Sequence, residues 1–479
     1  MRAFVWPVSA RPLYTRVIWL LFLCVTPGVL ASAQTLTTLH SFSGSDGAYP
    51  RAAVIRGTDG NFYGTTSFGG ASGANGKGTV FKVTPGGTLT TLYSFCEQMG
   101  CPDGYYPEGL VQGTDGNFYG ITEHGGGSSN CNSGCGTVFK ITPAGTLTTL
   151  HSFDRTDGQD PEGGLVQGTD GNFYGTTYFG GAESNGTVFN ITPAGTLTTL
   201  YSFGDQGGPG GALPQAGLVQ GTDGNFYGTT YSGGTGYHPY GTVFSITPGG
   251  TLTTLYSFCA QKGCPDGYYP MAGLVQSTDG NFYGTTNTGG AHNDGTVFEM
   301  TPSGTLTTLY SFCSQNNCAD GDFPMAGLIQ ASDGNFYGTT ENGEGAGTVF
   351  QITSAGTLTT LHRFAGSDGA NPEAGLVQAP DGSLYGTTDA GGANNYGTVF
   401  SVTLLASPTP APQPTPGPCV GDCDGSGDVT VNEIIILVNI DLGTAEASAC
   451  PNGIPSGSSP DITLIVKAVN NALTNCPAS

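Results

Sequence analysis

Short apolar runs, separated by glycine, proline and acidic turn residues, recur along the chain every 48 to 56 residues. One unit contains four such runs, at residues 164–167, 172–177, 186–192 and 196–203. β-branched and aromatic residues dominate the runs, and Asp-Gly-Asn or Pro-Ala-Gly turns separate them, which predicts strands joined by tight turns. Four strands per unit at this spacing predict the blade of a β-propeller.

The Asp-Gly core of the first turn occurs seven times, at Asp59, Asp115, Asp170, Asp223, Asp279, Asp333 and Asp381. A lone fourth strand at residues 35–42 precedes the first complete unit, and the last unit, 375–403, lacks its fourth strand. The N-terminal strand is therefore predicted to complete the last blade, which closes the ring and removes exposed sheet edges. We predict an all-β, seven-bladed propeller of four-stranded blades over residues 34–404.

The connections within each blade fall into two sets. The first-to-second and third-to-fourth turns share one side of a propeller and are nearly identical in every unit, so we call this side the uniform face. The second-to-third loops and the connections between blades share the other side and differ in every unit, so we call it the variable face. Variable loops on a rigid frame are the usual location of binding.

The two ends of the chain have a different character. Residues 1–33 combine three arginines, an apolar run at 17–25 and an Ala-Ser-Ala site, which predicts a signal peptide and an extracellular or cell-surface protein. The apolar run is too short for a stable transmembrane segment. Residues 405–418 are a proline-rich linker, and 419–479 form a module with predicted helices at 432–442 and 462–473.

The formal net charge is −23, and removal of the three signal-peptide arginines makes it −26. No basic patch is available to displace counterions from phosphates, which argues against binding to nucleic acid or to anionic membranes. We expect a monomeric exported protein.

Thirteen cysteines are present, and twelve remain after removal of the signal peptide. Eight form close pairs: Cys96 and Cys101, Cys131 and Cys135, Cys259 and Cys264, and Cys313 and Cys318. In an exported chain such pairs predict disulfides, and the alternative of zinc sites is weaker because no paired histidines accompany them. The connectivity of Cys419, Cys423, Cys450 and Cys476 stays open.

The strongest motif for chemistry begins the C-terminal module, at residues 422–433. It fits the calcium loop D-x-[DN]-x-[DN]-G-x5-E except for serine at the fifth position. The predicted Ca²⁺ ligands are Asp422, Asp424, Ser426, Asp428 through its backbone, Thr430 and Glu433. The alternative is an acidic loop that binds no ion.

With its following helix, this loop resembles a dockerin module, a family that carries two calcium loops and binds cohesin partners. The second loop, in the same register, starts near Gly453 and has Pro455, Gly457 and Leu464 where ligands belong. Asp461 alone falls at a usable position, so we expect one calcium site and a degenerate second loop. A cohesin-like or cell-surface partner is what the resemblance implies.

The repeats, through Asp-Gly-Asn-Phe-Tyr-Gly-Thr-Thr and Gly-Thr-Val-Phe, resemble the GloVer-type tandem repeats of bacterial exported proteins. The resemblance covers residues 35–403 and implies a propeller-like exported protein with varied C-terminal modules. It implies no established activity.

A second repeated motif, Asp-Gly-x-x-Pro, precedes the first strand of six blades, at Asp46, Asp103, Asp157, Asp266, Asp320 and Asp368. These carboxylates could ring a cation or a sugar, but we favour turns that fix the entry into each strand. His40, His151 and His362 alternate with tyrosine at one strand position and are interpreted as packing residues. His124, His238 and His292 lie in variable loops as isolated candidates for a base or a ligand.

Aromatic side chains in the variable loops suggest a carbohydrate site, with packing against the loops as an equal alternative. The candidates are Tyr105, Tyr106, Tyr237, Tyr240, Tyr268 and Tyr269. No motif of a serine hydrolase, a P-loop enzyme or a zinc protease is present. The leading hypothesis is a non-enzymatic binding or scaffold propeller, with glycan as the candidate ligand. The alternatives are a polysaccharide hydrolase or lyase, and a purely structural surface protein.

Overall fold

The computed structural model describes residues 34–404 and 419–474, apart from 425, 427, 456, 457, 459 and 460. The predicted signal peptide and the proline-rich linker lie outside the described residues, as does Cys476. The described part of residues 34–404 consists of seven four-stranded antiparallel sheets.

The first strand, β1, spans Thr35–Ser41. Blade 1 contains β2 (Ile55–Arg56), β3 (Phe62–Thr66), β4 (Thr79–Val83) and β5 (Leu89–Ser94). Blade 2 contains β6 (Tyr105–Gln112), β7 (Phe118–His124), β8 (Thr137–Ile141) and β9 (Leu147–Ser152). Blade 3 contains β10 (Val166–Gln167), β11 (Phe173–Thr177), β12 (Thr187–Ile191) and β13 (Leu197–Ser202). Blade 4 contains β14 (Val219–Gln220), β15 (Phe226–Thr230), β16 (Thr242–Ile246) and β17 (Leu252–Ser257).

Blade 5 contains β18 (Val275–Gln276), β19 (Phe282–Thr286), β20 (Thr296–Met300) and β21 (Leu306–Ser311). Blade 6 contains β22 (Ile329–Gln330), β23 (Phe336–Thr340), β24 (Thr348–Ile352) and β25 (Leu358–Arg363). Blade 7 contains β26 (Val377–Gln378), β27 (Leu384–Thr388) and β28 (Thr398–Thr403), and β1 pairs with β28 as its fourth strand. The prediction of a seven-bladed propeller closed by the N-terminal strand is confirmed.

The core lies between neighbouring blades. In blade 3 the second strand, β11, is buried at every residue and the third strand, β12, at four of its five positions. Tyr174 of blade 3 stacks on Phe226 of blade 4 with ring centroids 3.9 Å apart, and the same contact recurs around most of the ring. A Cβ at Gly175 would lie 2.7 Å from the Phe189 ring, so this close packing requires glycine.

The Asp-Gly-Asn turns hold these stacked rings in place. The Asp170 carboxylate accepts hydrogen bonds from the Tyr174 hydroxyl and from the Asn172 amide, each at 2.8 Å. In blades 2 to 7, a glutamine at the end of the first strand then joins neighbouring blades. In blade 3, the Gln167 side chain accepts a hydrogen bond from the backbone N–H of Thr114 in blade 2 at 3.0 Å. The uniform face is therefore a repeated structural clasp.

The C-terminal region contains two α-helices, α1 (Val431–Asp441) and α2 (Ile462–Thr474), close to the predicted bounds. Thr430 and Glu433 form a capping box that starts α1. Buried Leu437 and Ala468 belong to the small core of this region. None of the described helices is long and apolar enough to cross a membrane.

Candidate functional site

The variable face presents three sets of side chains, each with one member per blade. The post-proline ring follows the proline that recurs in each inter-blade connection and comprises Arg51, Glu108, Glu162, Gln215, Met271, Met325 and Glu373. The pre-proline ring comprises Tyr49, Tyr106, Asp160, Leu213, Tyr269, Phe323 and Asn371. The strand-end ring lies at the C-terminal end of each second strand, within it in blade 2 and directly after it in the others. It comprises Ser67, Glu123, Tyr178, Tyr231, Asn287, Glu341 and Asp389. All seven post-proline residues and Glu123 line one cavity of about 380 Å³.

Backbone geometry fixes the pre-proline ring. All seven residues have left-handed φ values, between 51° and 59°, which side-chain-bearing residues rarely adopt. In blade 5, the Tyr269 N–H donates to the Tyr240 carbonyl of blade 4, and the Tyr269 carbonyl accepts from Asn287 N–H, both at 3.0 Å. Because hydrogen bonds on both sides impose this conformation, the variable side chains project from a rigid backbone.

Three of the cavity-lining glutamates sit in surroundings that oppose their charge. Burial, followed by repulsion from Glu123 and Glu162, raises the pKa of Glu108 to about 8. Burial and then Glu123 raise the pKa of Glu162 to about 7. Burial and then Asp389 raise the pKa of Glu373 to about 7. Near neutral pH this cavity therefore holds both protonated and ionised carboxyl groups.

Arg51 is the one cationic residue among those that line the cavity in the described chain. Its Nε lies 3.1 Å from Asp389 Oδ1 and 3.8 Å from Glu373 Oε2. Burial opposes its charge, but these two carboxylates and Glu108 raise the pKa of Arg51. The arginine is thus engaged on the blade 7 side of the cavity.

His124, one of the isolated histidine candidates, lies beside this acidic cluster. Its Nδ1 is 3.2 Å from Asp160 Oδ1, and its Nε2 is 3.5 Å from Glu123 Oε1. The neighbouring Asp160 carboxylate raises the pKa of His124, with Glu123 acting in the same direction. His124 of blade 2 therefore pairs with Asp160 of blade 3 beside the cavity.

The six candidate tyrosines fall into two aromatic groups. Tyr105 and Tyr106 contact each other and His124, and Lys77 Nζ lies 5.1 Å and 5.3 Å from their ring centroids. The other group consists of Tyr231, Tyr237, His238, Tyr240, Tyr268 and Tyr269. We call this second set the blade 4–5 aromatic cluster.

Within the blade 4–5 aromatic cluster, Tyr231 and Tyr269 stack with centroids 4.2 Å apart and planes 5° apart. Tyr237 is 53% exposed at the edge of the cluster. Tyr178 connects the cluster electrostatically to the cavity, because Glu162 and Tyr231 both raise its pKa after burial. Tyr178 therefore lies close enough to both the acidic cavity and the blade 4–5 aromatic cluster to be influenced by each.

The Asp-Gly-x-x-Pro aspartates act within their own loops. Asp368 Oδ1 accepts from the Ala365 N–H and its Oδ2 lies 2.8 Å from His362 Nε2. Asp46 and His40 form the same pair at 2.8 Å, which makes these histidines hydrogen-bonding partners as well as packing residues. His362 also packs edge-on against Phe364 at 5.0 Å. This geometry favours the turn interpretation over a ring of ligand-binding carboxylates.

Disulfides brace the variable loops. The structure joins Cys96 to Cys101, Cys131 to Cys135, Cys259 to Cys264, and Cys313 to Cys318. In the C-terminal region Cys423 is joined to Cys450, and Cys419 is also disulfide-bonded. Bonded sulfurs are not available as zinc ligands, so the described pairs are covalent staples.

The candidate calcium loop brings Asp422, Asp424 and Glu433 together, with one carboxylate oxygen of each within 4.8 Å of the others. Asp422 and Glu433 are buried. Hydrogen bonds from Ser426 lower the pKa of Asp424, and those from Thr430 and Cys423 lower the pKa of Glu433 although burial opposes this. Three carboxylates therefore converge at predicted ligand positions, and the surroundings of Asp424 and Glu433 favour their ionised forms.

Sequence reasoning missed Arg51 and the glutamates of the post-proline ring. Each is a single substitution in a repeated segment, as in Pro161-Glu162 beside Pro270-Met271. The available signal was the variation among aligned repeats at one fixed position, directly after the proline. This variable position lies outside the longest loops and directly follows a proline that is the same in every repeat.

The repeat segments match a family model, described as the Gloeobacter/Verrucomicrobia repeat, at residues 28–238, 127–343 and 314–409. No curated protein matches the sequence. Among solved structures, the chain is similar to the periplasmic gluconolactonase of Pseudomonas aeruginosa, with 15% identity, a TM-score of 0.43, and coverage of 74% of this chain and 99% of that one. It is also similar to a luciferin-regenerating enzyme, with 13% identity, a TM-score of 0.38, and coverage of 63% and 92%.

Both TM-scores are low, and we draw no functional conclusion from these two structures. The family model, in contrast, matches most of the chain in overlapping tandem segments. These segments include every strand from β1 to β28 and all three rings of the variable face. The chain therefore belongs to the Gloeobacter/Verrucomicrobia repeat family.

Proposed function

We propose that this protein is an exported carbohydrate-binding propeller, with its ligand in the cavity of the variable face and a calcium-binding, dockerin-like C-terminal module for attachment. The observation that carries the proposal is the composition of the cavity and its surroundings. Carboxyl groups of blades 7, 2 and 3 face methionines of blades 5 and 6 across one 380 Å³ space. Binding sites of this size commonly combine an apolar lining with a few convergent polar groups.

Each half of the cavity matches one part of a sugar ring. Glu108, Glu162 and Glu373 hold protons near neutral pH, so they can donate to hydroxyl groups as well as accept from them. Met271 and Met325 offer an adaptable apolar wall, on which the C–H face of a pyranose can pack. The blade 4–5 aromatic cluster extends this surface for further sugar units.

The preference for binding over catalysis rests on the rigid backbone of the pre-proline ring, which suits a preformed site. Isothermal titration with oligosaccharides selected on a glycan array tests it. We expect Glu162→Gln and Met271→Ala to weaken binding, while Glu183→Gln, at an exposed position away from the cavity, leaves it unchanged. Equal affinity for all three variants would contradict a site in the cavity.

A polysaccharide hydrolase or lyase is the second candidate function. The elevated pKa of Glu108, about 8, is the property that a general acid requires at neutral pH, and ionised carboxylates stand nearby as candidate bases. Release of products from a polysaccharide panel, abolished in Glu108→Gln but not in Asp59→Asn on the uniform face, would establish this function. Sugar binding without products would support the binding protein.

For the C-terminal module we propose one calcium site formed by Asp422, Asp424, Ser426, Asp428, Thr430 and Glu433. The convergence of Asp422, Asp424 and Glu433 supports it, since Ca²⁺ prefers an oxygen cage with several carboxylates. Bound calcium would supply structural charge neutralisation within the loop. A cohesin-like or cell-surface partner is the corresponding proposal for docking, and pull-down by immobilised cohesin with and without calcium tests it.

A further inference from the structure

We infer that the carbohydrate bound in the cavity carries a protonated amine, and that this amine is held on the Glu108 and Glu162 side. This inference rests on the proposed carbohydrate-binding function and adds the class of sugar. The chemical class is a 2-amino-2-deoxy sugar or an oligosaccharide of such units with free amines.

The first argument is the distribution of charge. Glu108, Glu123, Glu162 and Glu373 line the cavity and Arg51 is their one cationic neighbour in its described lining. The Arg51 guanidinium lies against Asp389 and Glu373, on the blade 7 side. Glu108 and Glu162 form no ion pair within residues 34–404, although Arg51 and His124 lie near them. Their side of the cavity is therefore suited to a positively charged ligand group.

The second argument is the state of the Glu108 carboxylate. Protein surrounds it, although the open channel leaves the residue partly accessible to water. Within residues 34–404, no side chain or backbone N–H donates a hydrogen bond to it, and its neighbours of like charge are Glu123, Glu162 and Glu373. A partly enclosed carboxyl group that accepts no hydrogen bond from the protein can accept one from a ligand. An ammonium group supplies both the donor and the charge.

The third argument excludes simpler ligands. A divalent metal needs several oxygens that converge, but among the described residues no three acidic groups of this cavity bring oxygens within 4.8 Å of one another. An acidic sugar would meet repulsion from those of the four glutamates that are ionised. A linear polyamine would leave the apolar wall of Met271 and Met325 without a matching surface.

The geometry also links binding to proton release. Glu108 faces Glu123, Glu162, Glu373 and Arg51, and carries a proton near pH 7 because its pKa is about 8. An ammonium group beside it would favour the ionised carboxylate, so the protein would release a proton as the amino sugar binds. A neutral N-acetylated sugar would cause no such release.

The experiment is isothermal titration of the purified protein at pH 7 in two buffers of different ionisation enthalpy. The ligands are glucosamine oligomers, their N-acetylated counterparts, galacturonate oligomers and spermidine. We expect the glucosamine oligomers to bind most tightly with proton release. Loss of one charge-assisted hydrogen bond should lower their affinity about 10- to 100-fold in Glu108→Gln. Glu183→Gln should match the wild type, and the melting temperature of each variant reports on folding.

Tight binding of N-acetylated or acidic oligomers without preference for the amine would overturn the inference and retain the proposed function. Spermidine binding as tightly as the oligomers would show that charge alone is recognised, and would also overturn it. Absence of binding by every sugar would overturn both proposals.

Discussion

Glu108→Gln provides a quantitative test of the acidic cavity through protein stability. The pKa of Glu108 is raised from its ordinary value of 4.5 to about 8, because burial and neighbouring carboxylates oppose its charge. The folded protein therefore retains this proton more strongly than the unfolded chain. Stability from this group is complete below pH 4.5 and is lost progressively as the pH rises toward 8. Glutamine is neutral at every pH and of nearly the same shape, so it removes this dependence.

The magnitude follows from the pKa difference. Each pH unit between the two pKa values costs about 1.4 kcal/mol, so the interval from pH 5 to 7.5 costs at most about 3.4 kcal/mol. Water in the open channel screens the charge, and we expect about 1–2 kcal/mol. The charged neighbours of Glu108 are Glu123, Glu162, Glu373 and Arg51. They are present in the wild type and in Glu108→Gln, so their own titration contributes to the stability of both.

Urea unfolding at several pH values between 5 and 7.5, followed by far-ultraviolet circular dichroism, measures the free energy of unfolding of each protein. The free energy of unfolding of Glu108→Gln should exceed that of the wild type by an amount that grows with pH. Glu183 is exposed and does not line the cavity, so the free energy of unfolding of Glu183→Gln should match that of the wild type at every pH. A difference between Glu108→Gln and wild type that stays constant with pH would refute the reasoning.

Three further predictions concern the frame and the C-terminal module. Gln220→Ala should lower the free energy of unfolding by about 1–2 kcal/mol, because the Thr169 N–H loses its acceptor. Arg56→Ala, at the equivalent position of blade 1, should lower the free energy of unfolding by less. Urea unfolding of both variants tests the difference. Phe226→Ala should cost about 3–5 kcal/mol in the same assay, since it leaves a cavity between blades 3 and 4, and a cost below 1 kcal/mol would contradict the role of the stack. Calcium titration of the full chain should show one bound ion, abolished by Asp422→Asn and retained in Asp441→Asn; calcium uptake by Asp422→Asn would disprove the loop assignment.

The frame of this protein could be predicted from sequence because it is repeated. Seven copies of the same strand and turn pattern each indicated the same blade. The separate strand at residues 35–42 indicated that the N-terminus completes blade 7 and closes the ring. The two C-terminal helices followed from apolar spacing to within a residue or two. The local turn residues, such as Asp170, were sufficient to predict the turns of the uniform face.

The cavity could not be predicted in the same way, because its members are 48 to 56 residues apart and meet only after the ring closes. Glu108 and Glu162 look like ordinary surface acids in the sequence. Their raised pKa values depend on their mutual repulsion and on burial, which are properties of the assembled ring. The tyrosines were named from loop composition, and the structure divides them between two separate groups.

The pairing of β1 with β28 also sets the order in which the ring can be completed. Every other strand finds its neighbours within its own unit, but Thr35 pairs with Thr403 and Ser41 with Thr398. During synthesis from the N-terminus, β1 is the first part of the ring to be made, and its hydrogen-bonding edge stays unpaired until blade 7 has been synthesised. Nascent rings therefore pass through a stage in which β1 of one molecule can complete blade 7 of another, so crowding of unfinished chains favours strand-exchanged dimers.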